Sequence, residues 1–303
     1  MKRLEFHISY ICSHNCIFCS EYERMDKFKI YPLSFSEIKI ILIDRKKKGF
    51  NHINFTGGEP TIIPGFLDLL LFTKNLGYKI YIGTNGTMFS SEKFTQEALK
   101  YIDELSLSVH WYSEETCEKQ VGLKYHYRNF QKIVVNIEKY KKNNNLFFLN
   151  IVINKYNYFD IENIIRFVME QGYSFKQVLV SILAPEGRAE INYKKLVFNL
   201  EEFKLYIPKI VKLCNEKQKV LRFFGLPLCI LGDNLVDYSN DSHWEKRNTI
   251  ERLKTKDGKI ILKDVYSFNN SRARCFVGKC EGCKWKMRPC TGVFYKYLDY
   301  YKF

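Results

Sequence analysis

The sequence predicts an α/β protein: a partial (β/α)6 TIM-like barrel followed by a small cysteine-rich domain. Up to residue 183, short runs rich in β-branched and aromatic residues alternate with amphipathic stretches. Such alternation is typical of right-handed βαβ units around a parallel sheet. The alternation then stops, and five of the ten cysteines lie beyond residue 218. We therefore predict a barrel domain with a closing helix over residues 1–218 and a cysteine-rich domain over residues 219–303.

Six apolar runs supply the predicted strands, and amphipathic stretches between them supply the helices. The predicted strands cover residues 4–11, 52–57, 78–84, 104–110, 146–154 and 176–183. The predicted helices lie near residues 34–48, after Pro64, at 90–102, near 126–142, at 159–171 and at 200–217. The helix at 90–102 begins with capping serines and acidic residues, as a helix start should. In a barrel of this kind the functional site lies at the carboxyl ends of the strands.

Composition limits the classes of protein that this chain can be. Hydrophobic residues make up 46% of the 303 residues, which is enough for a packed core. No run approaches the roughly 18 apolar residues of a membrane span, so no membrane partner is expected. Glu5 and His7 interrupt the basic N-terminal stretch, which therefore does not resemble a signal peptide. We expect a cytoplasmic protein with reduced thiols, in which ten cysteines indicate metal binding rather than disulfides.

The net charge of +15 allows two interpretations. A basic surface attracts anionic partners such as nucleic acid, acidic peptides or phosphorylated substrates. Alternatively, lysines on solvated helix faces, as in residues 44–49 and 138–145, contribute charge without any partner.

Three cysteines, Cys12, Cys16 and Cys19, follow the first predicted strand directly. A structural zinc site needs four ligands, and a disulfide framework needs an even number of cysteines. Three thiolates on one tight loop can instead hold three irons of a [4Fe–4S] cube and leave the fourth iron open. The alternative is three small buried hydrophobic residues. Phe18, just before the last cysteine, offers an aromatic contact to whatever binds there.

A Gly-Gly-Glu-Pro sequence, residues Gly57, Gly58, Glu59 and Pro60, follows the second predicted strand. Glycines let backbone groups approach a ligand closely, and the proline restricts the turn. The alternative is an ordinary turn between a strand and a helix.

The C-x3-C-x2-C spacing after the first strand and "FTGGEP" after the second together resemble the radical S-adenosylmethionine (SAM) superfamily, over residues 4 to about 190. The resemblance implies a [4Fe–4S] cluster on Cys12, Cys16 and Cys19, whose open iron binds the amine and carboxylate of SAM. One-electron reduction, from a partner such as ferredoxin or flavodoxin, would cleave SAM to methionine and a 5′-deoxyadenosyl radical. That radical abstracts a hydrogen atom from the substrate.

The resemblance also implies SAM contacts at several strand ends. Glu59, within the motif Gly57–Pro60, can accept a hydrogen bond from the SAM ammonium group, and Thr56 is a plausible neighbour. Arg188 stands where related enzymes often have an arginine facing the SAM carboxylate, although it could equally be a surface arginine. The remaining implied contacts are Asn85, Ser108, His110 and Asn154. Asn85 precedes a glycine, and such a pair is also simply a good turn.

The C-terminal cysteines form a second metal-ligand pattern, C-x2-C-x6-C with cysteines upstream. A zinc ribbon and a fully ligated [4Fe–4S] cluster both need four thiolates. The region resembles the SPASM or twitch extensions of radical SAM barrels, which implies a second, auxiliary [4Fe–4S] cluster. It departs from the full SPASM pattern, which needs seven cysteines for two clusters. The preferred ligands are Cys229, Cys280, Cys283 and Cys290, with Cys275 as a spare or alternative ligand.

The resemblance predicts an enzyme that oxidises or cross-links a ribosomally made peptide. An acidic precursor peptide would suit the basic chain, but because the first strand begins near residue 4, a separate protein would have to recognise that peptide. A radical SAM enzyme acting on a small molecule, nucleoside, sugar or RNA is the alternative. An alternative of another class is a metal-stabilised nucleic-acid-binding protein without catalysis. The N-terminal cysteine triplet argues against it, since such a binder needs no cluster with an open iron.

Overall fold

The computed structural model describes residues 2–240, 247–267, 273–287 and 289–302. Within these ranges nine strands form one sheet and two more form a small antiparallel pair. The strands are β1 (Arg3–Ser9), β2 (His52–Gly57), β3 (Lys79–Thr84), β4 (Glu104–Ser108), β5 (Leu146–Ile153), β6 (Gln177–Ile182), β7 (Val220–Phe224), β8 (Arg247–Lys254), β9 (Ile260–Ser267), β10 (Arg274–Cys275) and β11 (Val293–Phe294).

Helices connect these strands and cover the outside of the sheet. They are α1 (Tyr22–Phe28), α2 (Phe35–Lys47), α3 (Phe66–Asn75), α4 (Glu92–Ala98), α5 (Glu114–Val121), α6 (Lys124–Tyr140), α7 (Ile161–Glu170), α8 (Arg188–Ile191), α9 (Tyr193–Leu196), α10 (Leu200–Phe203), α11 (Ile207–Glu216) and α12 (Leu228–Leu231). Among the described residues, no helix combines the length and the apolar character needed to cross a bilayer.

The large sheet has the order β7-β6-β5-β4-β3-β2-β1-β8-β9, in which the first eight strands are parallel and β9 is antiparallel to β8. All six strands predicted from the sequence are present, and each is followed by helices. The prediction of a partial α/β barrel is therefore confirmed. The carboxyl ends of β1 to β7 lie along one edge of this sheet because the strands are parallel.

The two faces of the strands differ in polarity. On β1, the alternate residues Leu4, Phe6 and Ile8 are buried in the apolar core. The residues between them, Glu5 and His7, line a polar cavity on the opposite face. Side chains alternate between the two faces of a strand, so the same division extends along the neighbouring strands. The barrel thus encloses a polar interior, and its hydrophobic core lies between the sheet and the outer helices.

Two features of the C-terminal part differ from the sequence prediction. The predicted helix at 200–217 is two helices, α10 and α11, with Pro208 in the first turn of the second. Proline has no N–H to donate to the preceding turn, so it starts a helix more readily than it continues one. In addition, β7, β8 and β9 join the large sheet at its two ends. The sheet therefore crosses the predicted boundary at residue 218, and the division into two domains stays a prediction.

Candidate functional site

The cysteine loop, residues 12–19, connects β1 to α1 at the carboxyl edge of the sheet. Other elements hold its backbone through hydrogen bonds. The amides of Asn15 and Ile17 donate to carbonyls at the end of α5, at 3.0 and 3.1 Å. The amide of Arg188 donates to the carbonyl of Cys19 at 2.9 Å, and its guanidinium donates to the carbonyl of Cys16 at 3.2 Å. The conformation of the loop is therefore set by protein contacts on both sides.

The two glycines of the Gly-Gly-Glu-Pro sequence pack directly against this loop. A Cβ on Gly57 would lie 2.0 Å from the carbonyl oxygen of Ser9, and one on Gly58 would lie 2.3 Å from that of Ile11. The amides of Gly58 and Glu59 donate to these same two carbonyls, at 2.8 and 2.7 Å. The close approach that requires glycine is thus an approach to the chain leading into the cysteine loop.

Glu59 is buried and joins the ends of β2 and β3. Its Oε1 accepts hydrogen bonds from the Thr61 amide at 3.1 Å, the Thr61 hydroxyl at 2.6 Å and the Thr84 hydroxyl at 2.7 Å. Its Oε2 accepts one from the Asn85 amide at 2.7 Å. Burial raises the pKa of this carboxyl despite these donors. A carboxylate offers about four acceptor positions, so one position on Oε2 stays available to a cationic ligand.

A polar cavity of about 420 Å³ opens at this edge of the sheet. Its walls bring together most of the side chains predicted from the sequence. They include Cys12, Cys16, Phe18, Cys19, Thr56, Gly57, Gly58, Glu59, Asn85, Ser108 and His110. The sequence motifs from four strand ends therefore converge on one space, as a parallel sheet allows.

The cysteine thiols lie in an environment that favours the neutral form when no metal is bound. Burial raises the pKa of Cys12 to about 11, and burial together with the neighbouring cysteines raises that of Cys16 well above its usual value. Burial also raises the pKa of Cys19. A metal ligand must be a thiolate, so bound cations would have to compensate this cost. Such a concentration of buried sulfur fits a cationic cluster better than an exposed redox pair.

Neutral histidines surround the cysteine loop. Burial, with nearby His126 and His110, lowers the pKa of His14 to about 2. Burial and His126 likewise lower the pKa of His110 to about 3, and its Nδ1 accepts a hydrogen bond from the Val152 amide at 3.0 Å. The rings of Phe18 and His110 pack edge to face with centroids 4.8 Å apart. These rings shape an apolar side of the cavity without adding charge.

Three residues predicted to contact SAM lie elsewhere. Pro60 is buried in the turn behind Glu59 and is not part of the cavity wall. Asn154 is fully buried, and its side chain exchanges hydrogen bonds with Gln120. Arg188 lies behind the cysteine loop, bonded to Asn15 and stacked over Tyr22 at 3.9 Å. None of the three lines the cavity; Asn154 is engaged with Gln120, and Nη1 of Arg188 with Asn15 and Cys16.

Sequence reasoning missed the polar residues deeper in the barrel. His7 lies 3.2 Å from Glu21 and 3.4 Å from Glu5, and all three line the cavity. Burial alone would lower the pKa of His7, but the bonds to Glu21 and Glu5 raise it to about 10. The alternation of polar and apolar residues in "LEFHIS" was the available signal. On a strand with helices outside, polar residues at every second position mark the inner wall.

A cluster of acidic, basic and histidine side chains lies at the amino-terminal end of the barrel. His52 lies 3.2 Å from Glu104, Lys79 pairs with the same carboxylate, and Arg3 donates to His52 at 3.1 Å. Burial would raise the pKa of Glu104, but the bonds from His52 and Lys79 lower it to about 2. These side chains lie at the amino-terminal ends of β1 to β4, whereas the polar cavity lies at the edge that carries the cysteine loop.

The C-terminal cysteines form a second group at the same edge of the sheet. Cys229 follows β7, and it lines a cavity of about 110 Å³ with Cys280, Cys283 and Cys290. Cys275 lies on β10 outside that cavity wall, and burial together with nearby Cys280 raises the pKa of its thiol. Cys117 on α5 and Cys214 on α11 are fully buried in the hydrophobic core. In the part of the chain that the structure describes, no three potential ligands converge on a single-ion site.

The Radical SAM superfamily model matches residues 6–168, which is more than half of the chain. The chain is 27% identical over 268 residues to a probable GTP 3′,8-cyclase of Saccharolobus islandicus, covering 86% of this chain and 82% of that protein. It is 26% identical over 266 residues to a probable GTP 3′,8-cyclase of Sulfurisphaera tokodaii, covering 86% and 80%.

Solved structures show the same fold. Streptococcus suis SuiB aligns with a TM-score of 0.61 and 19% identity over 86% of this chain and 59% of that chain. The enzyme anSMEcpe with bound AdoMet aligns with a TM-score of 0.55 and 17% identity over 72% of this chain and 61% of that one. The present chain thus spans about three fifths of each of those chains. The chain belongs to the radical SAM superfamily, whose enzymes use SAM and a [4Fe–4S] cluster.

Proposed function

We propose that this radical SAM enzyme acts on a small polar molecule bound in the barrel interior, beneath a SAM and cluster site on Cys12, Cys16 and Cys19. The observation that carries the proposal is the polar inner wall of the barrel. TIM-barrel interiors are usually packed with branched apolar side chains. Here the register instead aligns Glu5 with Asn54 and Tyr81 around the cavity, which suits a hydrogen-bonding ligand.

The residues at the mouth fit the cofactors that the superfamily uses. When bound, the cluster and SAM supply the 5′-deoxyadenosyl radical by reductive cleavage. The three cysteines would hold three irons, and the remaining acceptor position of Glu59 Oε2 would receive the SAM ammonium group. The Asn85 amide donates to Glu59, and Asn85 Nδ2 lies 3.7 Å from Cys12 Sγ. Asn85 would therefore orient both the Glu59 carboxylate and the Cys12 thiolate. Ser108 and His110 would border the rest of SAM from the end of β4.

A nucleotide is the first candidate among small polar substrates. The relatives named probable GTP 3′,8-cyclases match this chain over most of their length. On the far wall, Leu179 lines the cavity and pairs with Arg222 of β7, so Arg222 lies on the inner face of the sheet. An inward arginine and a net charge of +15 both favour an anionic substrate.

We also propose that the C-terminal cysteines hold an auxiliary [4Fe–4S] cluster of SPASM or twitch type in a domain beginning near residue 219. Cys229, Cys280, Cys283 and Cys290 share one cavity, and Cys275 stays the spare residue. One zinc ion would draw four thiolates to about 2.3 Å from a single point. The spread-out arrangement of these side chains suits a cube better, since each thiolate then binds a different iron.

The test uses protein reconstituted with iron and sulfide under anaerobic conditions, reduced by dithionite or flavodoxin and supplied with SAM. We expect 5′-deoxyadenosine to form faster with GTP than without substrate, together with a GTP-derived product visible by mass spectrometry. Cys16→Ala should form none, whereas the matched control Cys214→Ala should retain the activity because Cys214 is far from both cysteine groups. An intact cluster without any 5′-deoxyadenosine would overturn the enzymatic assignment of the site.

Peptide modification is the second candidate, favoured by the basic charge of the chain. The structural neighbour SuiB has been solved with its precursor peptide SuiA, but that likeness concerns the fold alone. In the same assay, an acidic precursor peptide that raised 5′-deoxyadenosine formation while GTP did not would favour this candidate. A separate recognition protein and a ferredoxin or flavodoxin reductant remain the partners proposed for it.

A further inference from the structure

A second cavity, of about 380 Å³, lies on the outer side of β1. Its walls come from the end of β1, from α1 and the segment that follows it, from α2, from the turn before α3, and from β8. They are mostly apolar, with Ile8, Phe28, Leu33 and Ile38 among them. The strand separates this space from the polar cavity, because Glu5 and His7 line that cavity whereas Ile8 lines this one.

One wall residue, Arg252 of β8, is a buried cation that forms no ion pair with any residue in the described part of the chain. It is 4% exposed. Its Nη1 donates to the backbone carbonyls of Phe28, at 3.2 Å, and Tyr31, and its guanidinium lies 4.9 Å from the ring centroid of Tyr10. Among the described residues, Nε and Nη2 have no hydrogen-bond partner. Three of the five N–H groups of the guanidinium, one on Nε and two on Nη2, therefore have no acceptor in the described part of the protein.

The charges around Arg252 do not compensate it. No Asp or Glu belongs to the cavity wall in the described part of the chain, and the second charged wall residue is another cation, Lys29. The acid whose charge reaches Arg252 is Glu37, whose Oε2 accepts hydrogen bonds from the hydroxyl and amide of Ser34 at 2.7 and 2.8 Å and which forms no ion pair with Arg252 in the described structure. A buried guanidinium that lacks a counter-ion is costly, so such groups are normally paired.

The positions of Nε and Nη2 of Arg252 also indicate which anionic group they can bind. Nε and Nη2 form the edge of the guanidinium that donates two parallel hydrogen bonds to a carboxylate. Among the described wall residues Arg252 is the buried cation, whereas Lys29 is exposed to solvent, so a singly charged head group matches the buried charge better than a dianionic phosphate does. The surrounding apolar wall requires an apolar body attached to that head group.

We propose that this cavity binds a small carboxylic acid with an apolar body, its carboxylate paired with Nε and Nη2 of Arg252. The segments that surround the cavity leave room for a compact ligand rather than for a folded partner. The proposal does not depend on the reaction at the cysteine loop. It assigns to this chain a binding site separate from the SAM and substrate cavity.

Isothermal titration calorimetry on the reconstituted enzyme tests this with 4-phenylbutyrate as the probe. We expect one site per chain, and at least about tenfold weaker binding of the uncharged 4-phenylbutan-1-ol, the equivalent of one charge-assisted hydrogen bond. Arg252→Gln should weaken 4-phenylbutyrate by a similar factor, whereas the matched control Lys254→Gln, on the exposed part of the same strand, should not. Leu33→Trp should abolish binding by filling the cavity.

The titrations with the acid and the alcohol can overturn the proposal in two ways, and a titration with inorganic phosphate in a third. One is the absence of 4-phenylbutyrate binding to enzyme whose cluster content and melting temperature are normal. The other is equal affinity for the acid and the alcohol in the unmodified protein, which would show apolar binding without a role for Arg252. The comparison of affinities for the acid and the alcohol uses the unmodified protein. It therefore tests the role of the carboxylate even if Arg252→Gln is destabilised by losing its bonds to Phe28 and Tyr31. Binding of inorganic phosphate with equal affinity would also contradict it.

Discussion

The two cysteine groups lie at the same edge of the sheet, but different contacts hold them. Around the N-terminal group, Asn15 and Ile17 bond α5, and Arg188 bonds Cys16 and Cys19. In the C-terminal group, the backbone bonds shown for residues 277–290 stay within that segment, as from Cys283 to Cys280 and from Cys290 to Trp285. The N-terminal loop is thus organised by the barrel, whereas the C-terminal loop is organised mainly by itself.

The cysteines of the two groups also differ in how far they are buried. Each N-terminal cysteine is at least partly covered, and burial raises all three thiol pKa values. Cys229 and Cys283 of the C-terminal group are exposed, and the segment bonds the rest of the chain through Asp233, which accepts from Lys284 and Trp285 at 2.7 Å. We infer that the barrel prepares the first site before metal binds, whereas the second site depends on its metal for order.

Cysteine substitutions should have the largest effects, and these effects should differ between the two cysteine groups. Cys16→Ala removes a ligand of the proposed SAM cluster, so SAM cleavage should fall to background and about four irons per chain should be lost. Cys283→Ala should lose a similar amount of iron but still cleave SAM, because the cysteine loop is untouched. Iron analysis and 5′-deoxyadenosine assays measure both effects. If Cys283→Ala also abolished SAM cleavage, the two groups would not be separable.

A pair of glycine substitutions tests the difference in packing. Gly58→Ala places a Cβ 2.3 Å from the Ile11 carbonyl, which cannot move without shifting the start of the cysteine loop. Overpacking of this kind typically lowers the free energy of unfolding by about 1–3 kcal/mol. A Cβ on Gly278, beside the C-terminal cysteines, meets no atom within 4 Å, so Gly278→Ala should change stability by less than about 0.5 kcal/mol. Denaturant unfolding measures the free energy of unfolding of both variants. An equal loss of stability in the two would contradict the proposed difference in packing.

Metal removal should loosen only one of the two regions. Hydrogen exchange measured by mass spectrometry, before and after anaerobic chelation, should show faster exchange over residues 277–290. The amides of Asn15 and Ile17 should stay protected, because their acceptors lie at the end of α5 rather than within the loop. Equal deprotection of both regions would mean that the barrel does not organise its cysteine loop.

The last expected effect is a pH dependence of stability that belongs to the N-terminal region. The pKa of His7 is raised to about 10 from an ordinary value of 6.5. Protonated His7 therefore stabilises the fold fully below pH 6.5, and this contribution is lost as the pH rises toward 10. The stability difference between the unmodified protein and His7→Gln should shrink over that range. A difference independent of pH would show that His7 is not charged in the folded protein.

The local patterns of the sequence predicted much of this molecule. "HINFTG" forms β2 over the predicted residues His52–Gly57, because β-branched and aromatic residues were bounded by glycines. The spacing of Cys12, Cys16 and Cys19 after a strand predicted their convergence on the cavity, since parallel strand ends share an edge. The pairing of β8 with β1 could not be read in this way, because it joins residues about 240 positions apart through only three register pairs.

By itself, the sequence determined the strand–helix alternation, the positions of the two cysteine groups and the membership of a superfamily, because each depends on short-range periodicity and spacing. Only the tertiary structure decided which side chains share a space. It assigned Glu59 to the junction of β2 and β3 and Arg188 to the back of the cysteine loop. It also showed that Arg252 has no ion-pair partner among the described residues. Partners of buried charges come from distant segments, so only the folded chain identifies them.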